Sequence, residues 1–599
     1  MFPEDSPLLA ALASYSADER VYTSAVTYRF MPGGSEIDDG DPATTNAVSV
    51  EWSAAEMQYV RDLFAYISTV ANLSFAETTS SDATVSFYEV GSFADNTTGY
   101  VSFFEAGRSI AVIASQYTGP LADNDDNVTM IHEIGHALGL AHPHDGPAVL
   151  PGVGNQDDKG DLNLNTEFTT RMSYVPGESP LHPGLNIYGE ANTFGAIDIA
   201  ALQLLYGANT QTGLGDTVYG DTRNLVTIWD NGGTDRIDFS FATEAAAIDL
   251  RAATLAFEAG GGGYLSYVAS QNGTVADGGY SIAYGVVIEE ALGGAGNDRV
   301  TGNGADNLLS GNGGDDVIDG SGGNDILNGG AGRDTGVYSG NRESYTLTLS
   351  AQSMTLADRR GTDGTDTLTD IELLTFGDAT IAPFDLTVFA GTAGLSEAQM
   401  KSFIELYIAY FNRAPDAVGL NFWGTAFANG TSLQQMATLF IDQDETRATY
   451  AADLSNSAFA TAVYTNVLGR VADQAGFDFW VGVLDSGAVG RDQFILNVLE
   501  GAKAAPPQGA TQDFIDQQAA DRAYLSSKTD IGAYFAVIRG MSNVDNARGA
   551  MGGFDGSAGS INSVVQAIDG YFASAQAATG GEFLMPLVGV LDDPFAAMA

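Results

Sequence analysis

Between residues 293 and 337 glycine returns every nine residues, at 293, 302, 311, 320 and 329, and that period leaves few folds open. The five segments read GGAGNDRVT, GNGADNLLS, GNGGDDVID, GSGGNDILN and GGAGRDTGV. Their sixth residues are Asp298, Asn307, Asp316, Asp325 and Asp334; their eighth are Val300, Leu309, Ile318, Leu327 and, in the last copy, Gly336. A fixed period means one structural unit stacked on itself. Glycines allow tight turns with inward carbonyls, the aspartate supplies a carboxylate, and the apolar residue fills the core of a short strand. The pattern predicts a parallel β-roll holding Ca2+ in oxygen cages. The candidate calcium positions are Gly293, Gly296, Asp298, Gly302, Gly311, Gly314, Asp316, Gly320, Gly323, Asp325, Gly329, Gly332 and Asp334. The second copy departs, with Asp306 one place early and Asn307 at the aspartate position, so its carboxylate is missing. Without metal such turns repel one another, so the roll is expected to fold weakly until Ca2+ binds. A flexible Gly/Asp linker would not hold this register. Strand-like runs over 341–390 are expected to cap the open end of the stack.

A second feature is denser in chemistry. Three of the five histidines fall at 132, 136 and 142, within His-Glu-Ile-Gly-His-Ala-Leu-Gly-Leu-Ala-His. His132 and His136 are four apart and share one helix face, where both imidazoles can reach one Zn2+. Glu133 lies beside them and can reach a water at the metal without being a ligand. Gly139 permits a sharp turn that returns His142 as a third nitrogen ligand. Three protein ligands leave a position open, the mark of a catalytic zinc site. The bare His-Glu-x-x-His occurs on ordinary helices; the extended form with Gly139 and His142 is far more specific.

Along the chain, residues 22–32 alternate like a strand and 52–76 carry apolar residues three or four apart, as in a helix. Strand-like runs follow at 84–90, 99–104 and 109–114, and the histidine helix is expected to begin, capped, near Asp125–Asn127. Thirty residues past His142 comes Thr-Arg-Met-Ser-Tyr, ending in Met172-Ser173-Tyr174. A methionine in a tight turn can floor three imidazoles, and a tyrosine two residues on can bring its phenol to the metal. Here the chain resembles the serralysin-type metzincins. The resemblance implies His132, His136 and His142 as zinc ligands, Glu133 as catalytic base, Met172 as the Met-turn residue, and Tyr174 as extra ligand and oxyanion donor. It also implies an α/β metzincin catalytic domain over 1–209, closed by a helix near 198–209. The nonapeptides resemble the RTX repeats that follow it, giving a calcium-binding β-roll domain with capping strands over 210–390.

From about 397 the pattern turns helical and duplicates with an offset of 57. Tyr407, Arg413, Asp416, Gly419, Phe422 and Trp423 align with Tyr464, Arg470, Asp473, Gly476, Phe479 and Trp480. In each copy the arginine and aspartate can pair within a turn, and Phe-Trp is expected to pack two helices together. This mostly α-helical domain, 391–580, resembles one of unknown function that recurs beside RTX modules; it carries no catalytic constellation, so a structural or interaction duty is expected. The apolar tail, 581–599, is by resemblance a type I secretion signal, with packing on its own domain as the competing reading. The amino terminus lacks the pattern of a Sec signal.

The fold class is therefore multidomain: α/β, parallel β-roll, then helical. With 76 acidic against 24 basic residues the formal net charge is −52, which disfavours nucleic acid and anionic membranes as partners. No run is long enough to span a membrane. Cysteine is absent, which excludes disulfides and thiolate sites. The expected function is a secreted, calcium-stabilised zinc endopeptidase acting on proteins, with possible partnership to a cell-surface or S-layer protein, or self-association, through the helical domain. The alternative is a calcium-dependent surface protein with a vestigial protease domain. His144 and His182 are expected to be solvated loop residues, with a place in the cleft lining as the competing reading for His144.

Overall fold

The computed structural model describes residues 3, 6–13, 24–37, 48–92, 98–104, 108–114, 125–145, 148–177, 181, 185–188, 190–191, 193–220, 223–270, 273, 275–378 and 380–598. They form two compact units, Met1–Gly322 with Asn328–Asp334, and Gly323–Leu327 with Thr335–Ala599.

The first unit opens with helix α1 (Pro7–Leu12), followed by β1 (Ala25–Phe30), α2 (Ala54–Val70), β2 (Ser74–Glu77), β3 (Val85–Val90), β4 (Gly99–Phe104), β5 (Arg108–Ala114) and α3 (Asp125–Ala137). The sheet order is β2-β1-β3-β5-β4, parallel except for β4 on the edge. All six residues of β3 are buried, as a central parallel strand requires. A reciprocal capping box between Ser53 and Glu56 starts α2, which buries Val60, Leu63, Phe64, Ile67 and Val70. The expected helix over 52–76 is too long. It stops at Val70 because Ala71 takes an extended backbone and bridges Ala208, and Ser74–Glu77 is drawn into the sheet beside β1. Residues 22 and 23 of the expected first strand, and the side chains of Asp125–Asn127 expected to cap α3, lie outside what is described.

The nonapeptides form the expected roll. Glu290 pairs with Leu308 and Arg299 with Val317, each eighteen apart and parallel, so successive nonapeptides alternate between two sheets. Val300, Leu309 and Ile318 meet between the sheets at 0% exposure. Aspartates climb one side of the stack: Ala246 N–H donates to Asp298 Oδ1 (2.7 Å), Asp298 N–H to Asp316 Oδ1 (2.7 Å), and Asp316 N–H to Asp334 Oδ1 (2.8 Å). The turns approach so closely that a Cβ on Gly332 would overlap the Gly314 carbonyl, and both glycines have positive φ. The change at 209/210 is one of architecture and not of packing. Strand Val275–Asp277 pairs with Asn186–Tyr188, and Phe168, Leu185, Leu225, Leu265 and Ala276 share one core.

In the second unit, Gly336 stands at the apolar position of its repeat because Leu374 and the Tyr338 ring fill the space, 3.2 and 3.3 Å from where its Cβ would be. Strands Tyr345–Leu349, Met354–Asp358 and Thr365–Thr369 pair antiparallel in the expected capping region. The tail packs on its own unit: Leu347 N–H donates to Leu584 O (2.8 Å), Leu349 N–H to Pro586 O (2.9 Å), and Leu584, Met585 and Leu587 are buried. The rest is helical: α4 (Ala196–Tyr206) belongs to the first unit, and α5 (Glu397–Phe411), α6 (Ala417–Ala428), α7 (Leu433–Ile441), α8 (Asp444–Thr449), α9 (Asn456–Leu468), α10 (Gln474–Asp485), α11 (Arg491–Lys503), α12 (Gln512–Ala533), α13 (Val544–Gly552) and α14 (Ala558–Ala575) to the second.

The duplicated motif makes the expected arginine–aspartate pair in its first copy, where it is a secondary contact. Asp416 and Asp473 mainly cap α6 and α10, accepting from Gly419 N–H (2.7 Å) and Gly476 N–H (2.8 Å). Arg413 does touch Asp416 (3.1 Å), but its bidentate partner is Glu445 on α8, and Arg470 pairs bidentately with Asp521 on α12. Of each Phe-Trp pair only the tryptophan packs, Trp423 on Phe440 (5.1 Å) and Trp480 on Phe494 (5.3 Å). Phe422 and Phe479 are 43% and 61% exposed. Neighbours on a helix point about 100° apart, so both cannot face one core.

Candidate metal centre

Helix α3 presents His132, Glu133 and His136, and the turn after it supplies His142. Gly139 has φ +92°, and a Cβ there would meet nothing closer than 3.7 Å. Backbone handedness, then, and not crowding, requires glycine. His132 and His142 Nε2 are 3.0 Å apart, His136 and His132 Nε2 3.1 Å, and His136 and His142 Nε2 2.9 Å. Each Nδ1 faces an acceptor: Arg171 O for His132 (2.8 Å), Leu140 O for His136 (2.8 Å) and the Asp145 carboxylate for His142 (2.9 and 3.0 Å). These partners hold the proton on Nδ1 and turn three lone pairs toward one point. Burial, followed by the neighbouring imidazoles, pushes His132 well below its ordinary pKa, and burial with His142 pushes His136 down to about 4. Both are neutral near pH 7. Three acceptor nitrogens converge favourably only on a cation. Ligands held at about 2.0–2.1 Å around tetrahedral zinc lie about 3.3 Å apart, a few tenths from what is seen. The residues fit the ion.

Around this point stand the other expected groups. The Tyr174 hydroxyl is 2.8 Å from His142 Nε2, and burial pushes its phenol up to about 12. Met172 is fully buried beneath α3, where a Cβ on Gly135 would come within 2.5 Å of its sulfur. Glu133 is buried, with Oε2 lacking a partner, and burial pushes its carboxyl up to about 8. Gly99 on β4 lies against the Glu133 side chain, 2.8 Å from its Cγ to where a Cβ would stand. His144 sits in a turn, as expected, but is not solvated: it stacks on His142 (centroids 4.9 Å) and borders Tyr174 (5.4 Å), with its Nδ1 buried and unpaired, so it lines the cleft. His182 lies outside the described residues.

Sequence reasoning missed the supports. Asp198 at the start of α4 is wholly buried and accepts from Thr170 Oγ1 (2.6 Å), Arg171 N–H (2.6 Å) and Gly195 N–H (3.0 Å). It thereby fixes the turn that carries Met172, and with it the Arg171 carbonyl that orients His132. Asp145, three residues past His142, was also unmarked.

In the roll, Asp316 keeps a buried Oδ2 without a partner, and burial with Asp298 and Asp334 pushes its carboxyl up to about 7. Asn307 differs as its chemistry dictates. Its Oδ1 accepts from Asn303 N–H (2.8 Å), while its amide donates to Ile288 O (3.3 Å) and Glu289 O (3.2 Å), so it offers one oxygen where aspartate offers two. A stacked turn earlier in the chain escaped notice. Asp235 accepts from Thr217 N–H (2.8 Å) and its own N–H donates to Glu289 (2.9 Å), yet its buried Oδ2 has no partner. Burial raises that carboxyl, and Asp230, Glu289 and Asp216 raise it further. The signal was Gly-Thr-Asp at 233–235, matching the Gly-x-Asp of the repeat, but Glu289 is 54 residues away.

Comparison with known proteins bears on these regions. The family description "Peptidase M10 serralysin C terminal" matches residues 199–429, and "Domain of unknown function (DUF4214)" matches 437–505. Metallopeptidase AprA of Pseudomonas marginalis is 36% identical over 200 residues, covering 30% of this chain and 37% of that protein. Serralysin of Proteus mirabilis is 38% identical over 196 residues, 30% of this chain and 35% of that protein. Serralysin G of Dickeya chrysanthemi is 33% identical over 313 residues, 48% of this chain and 61% of that protein. The chain spans about a third of the length of AprA and the Proteus protein. It thus carries a serralysin-type C-terminal region, β-rich in the middle and helical toward the end.

Proposed function

We propose that the chain is a secreted zinc endopeptidase of serralysin type, stabilised by Ca2+ and cleaving protein substrates. The observation that carries this reading is the convergence of three imidazole Nε2 atoms, 2.9–3.1 Å apart, beside a buried, unpartnered Glu133 carboxylate and the Tyr174 phenol. His132, His136 and His142 would hold zinc, with Tyr174 in reach as a further ligand. Bound zinc supplies Lewis acidity toward water and the scissile carbonyl. Glu133 accepts the proton of the attacking water, its basicity raised by burial into the range a general base needs near neutral pH. It then returns that proton to the leaving amine. The hydroxyl of Tyr174, a residue about half exposed, donates to the carbonyl oxygen as charge grows there. Met172 and Gly135 keep the imidazoles from sinking into the core. Calcium is assigned to the stacked turns of Asp298, Asp316 and Asp334, and to the earlier turn of Asp235 and Glu289.

The test is Glu133→Gln in the full chain. Zinc content and unfolding curve should match the parent while casein cleavage falls by about 10³-fold or more, since the base is lost and the ligands are not. Cleavage within tenfold of the parent would refute the role of Glu133. A parent with zinc bound and no activity on any protein would favour the surface-protein reading.

A further inference from the structure

Within the second unit, a cleft of about 380 Å³ opens where the capping strands meet the helices, and none of the groups assigned above lines it. Its walls are held from behind. Phe384 is buried, stacks on Phe389 (centroids 4.7 Å) and meets the Phe583 ring edge-on (5.1 Å). Glu343 Oε1 accepts from Gly580 N–H (3.0 Å), and Glu582 Oε2 accepts from Ser542 N–H (3.3 Å) and Asn543 N–H (3.1 Å). The tail is thereby tied to the strands on one side and to the start of α13 on the other. A cleft built this way loses little freedom when it is filled.

The cation in this cleft has nothing to hold. The Arg342 guanidinium lies over the Phe384 and Phe583 rings (5.7 and 6.0 Å), and among the described residues its planar fork makes no hydrogen bond or ion pair. Only its backbone N–H is engaged, donating to Asp378 Oδ1 (3.4 Å). Every other described arginine seated over a ring also hydrogen-bonds an oxygen, as Arg360 does with Asp358 and Arg470 with Asp521. A fork of this kind matches a carboxylate or a phosphate. The rest of the lining chooses between them. Glu343, Asp378 and Glu582 repel a second negative charge and favour a positive one, while Ile381, Phe384, Val418 and Phe583 offer apolar walls. A ligand that suits every wall has one carboxylate, one ammonium and apolar carbon between them. Of the three acids, Asp378 has the least engaged side chain, with only the long contact from Arg342 N–H.

We propose that this cleft binds a short apolar peptide as its zwitterion, with the terminal carboxylate on the Arg342 fork, the terminal ammonium at Asp378, and side chains against Phe384, Val418 and Phe583. Its volume, near the lower end of ordinary ligand sites, suits a dipeptide. Binding here is independent of the zinc centre, although short peptides are what cleavage at that centre would release.

The probe is the dipeptide Leu-Phe, titrated by calorimetry into the calcium-loaded full chain. Saturable binding at about 1 mM or tighter is expected. Leu-Phe amide, which lacks the carboxylate, should bind at least tenfold more weakly, and N-acetyl-Leu-Phe, which lacks the ammonium, at least threefold more weakly. The place of binding is read from variants. Arg342→Gln and, independently, Val418→Trp, which fills the cleft, should each weaken Leu-Phe at least tenfold with unfolding curves and zinc content unchanged. If Arg342→Gln destabilises the chain, Arg342→Lys, which keeps the charge and loses the fork, should still weaken binding at least threefold. Asp378→Asn should weaken Leu-Phe at least threefold and leave N-acetyl-Leu-Phe within twofold. No saturable binding, or either capped form binding as well as Leu-Phe, would overturn the proposal. So would affinity that survives Arg342→Gln or Val418→Trp, which would place the dipeptide elsewhere, the zinc centre included.

Discussion

Of the three imidazoles at the candidate zinc site, only His142 is oriented by a side chain that can be replaced. His132 and His136 donate to main-chain carbonyls, whereas His142 Nδ1 faces Asp145 at 2.9 and 3.0 Å. Loss of such an outer partner costs about 10–100-fold in metal affinity, about 1.4–2.7 kcal/mol. The Asp145 side chain is 56% exposed, so water screens its charge and the lower end applies. Asp145→Ala is expected to weaken zinc binding about tenfold. Asp145→Asn keeps an acceptor oxygen for the Nδ1 proton while losing the charge, so roughly threefold is expected. The assay is competition for zinc against a chromophoric chelator at pH 7.5, run at low and high salt. The loss in Asp145→Ala should shrink with salt, because part of it is the screened carboxylate charge. Alanine within twofold of the parent, or asparagine as damaging as alanine, would refute the reasoning that this carboxylate fixes the ring.

Two further outcomes follow. Lys528 is 3% exposed and its Nζ donates to Asn466 O (2.8 Å) and Asn466 Oδ1 (3.0 Å), with burial pushing its pKa from 10.5 down to about 8. Between pH 8 and 10.5 the unfolded chain binds the extra proton, so stability should rise with pH across that window by about 3 kcal/mol, and Lys528→Met should abolish the rise and stabilise the protein at pH 7. Urea unfolding at pH 7 and 10 checks both; a parent less stable at pH 10 than its variant at the same pH, with no upward slope, would count against it. Removing calcium should also weaken zinc binding, measured by the same competition with and without a calcium-selective chelator. Unchanged zinc affinity in a chain whose roll has demonstrably unfolded would break the link.

How much of this could be read beforehand depended on the distance over which residues cooperate. Four-residue spacing alone places His132 and His136 on one face, and a nine-residue period alone stacks Asp298 on Asp316. Tyr174 and Met172 were reachable because their spacing from His142 accompanies a recognisable motif. Asp198 was not: its buried carboxylate meets Arg171 27 residues back, through a turn whose path no local pattern encodes. The same holds for Glu289, 54 residues beyond Asp235, and for Ser74–Glu77, whose apolar spacing continued a helix until the sheet edge captured it. The motif around Arg413 and Arg470 names the cation in each copy but not its partner. Glu445 lies 32 residues beyond the first arginine and Asp521 51 beyond the second, so the acids do not share the 57-residue offset. A buried guanidinium needs a carboxylate, and where it comes from was settled by tertiary packing.

The expected link between calcium and zinc would have a continuous physical route within the first unit. Asp230 and Asp235 flank the turn that ends strand Asn224–Ile228. From that strand Thr227 N–H donates to Thr193 Oγ1 (2.8 Å), and Arg171 Nε donates to the carbonyl of the same Thr193 (2.9 Å). The Arg171 carbonyl in turn holds the His132 ring (2.8 Å). Every member of this route is buried, and Arg171 is 1% exposed. Slack at one end therefore cannot be taken up by solvent. Without a cation, the Asp235 turn presses an unpartnered oxygen against Asp230, Asp216 and Glu289, a repulsion that relaxes most easily by opening the turn. Opening it removes the seat of Thr193, and with it the restraint on the carbonyl that sets the tautomer and angle of a zinc ligand. Calcium at this turn would then be part of what makes the three nitrogens converge, although none of the residues proposed to hold it touches any of them.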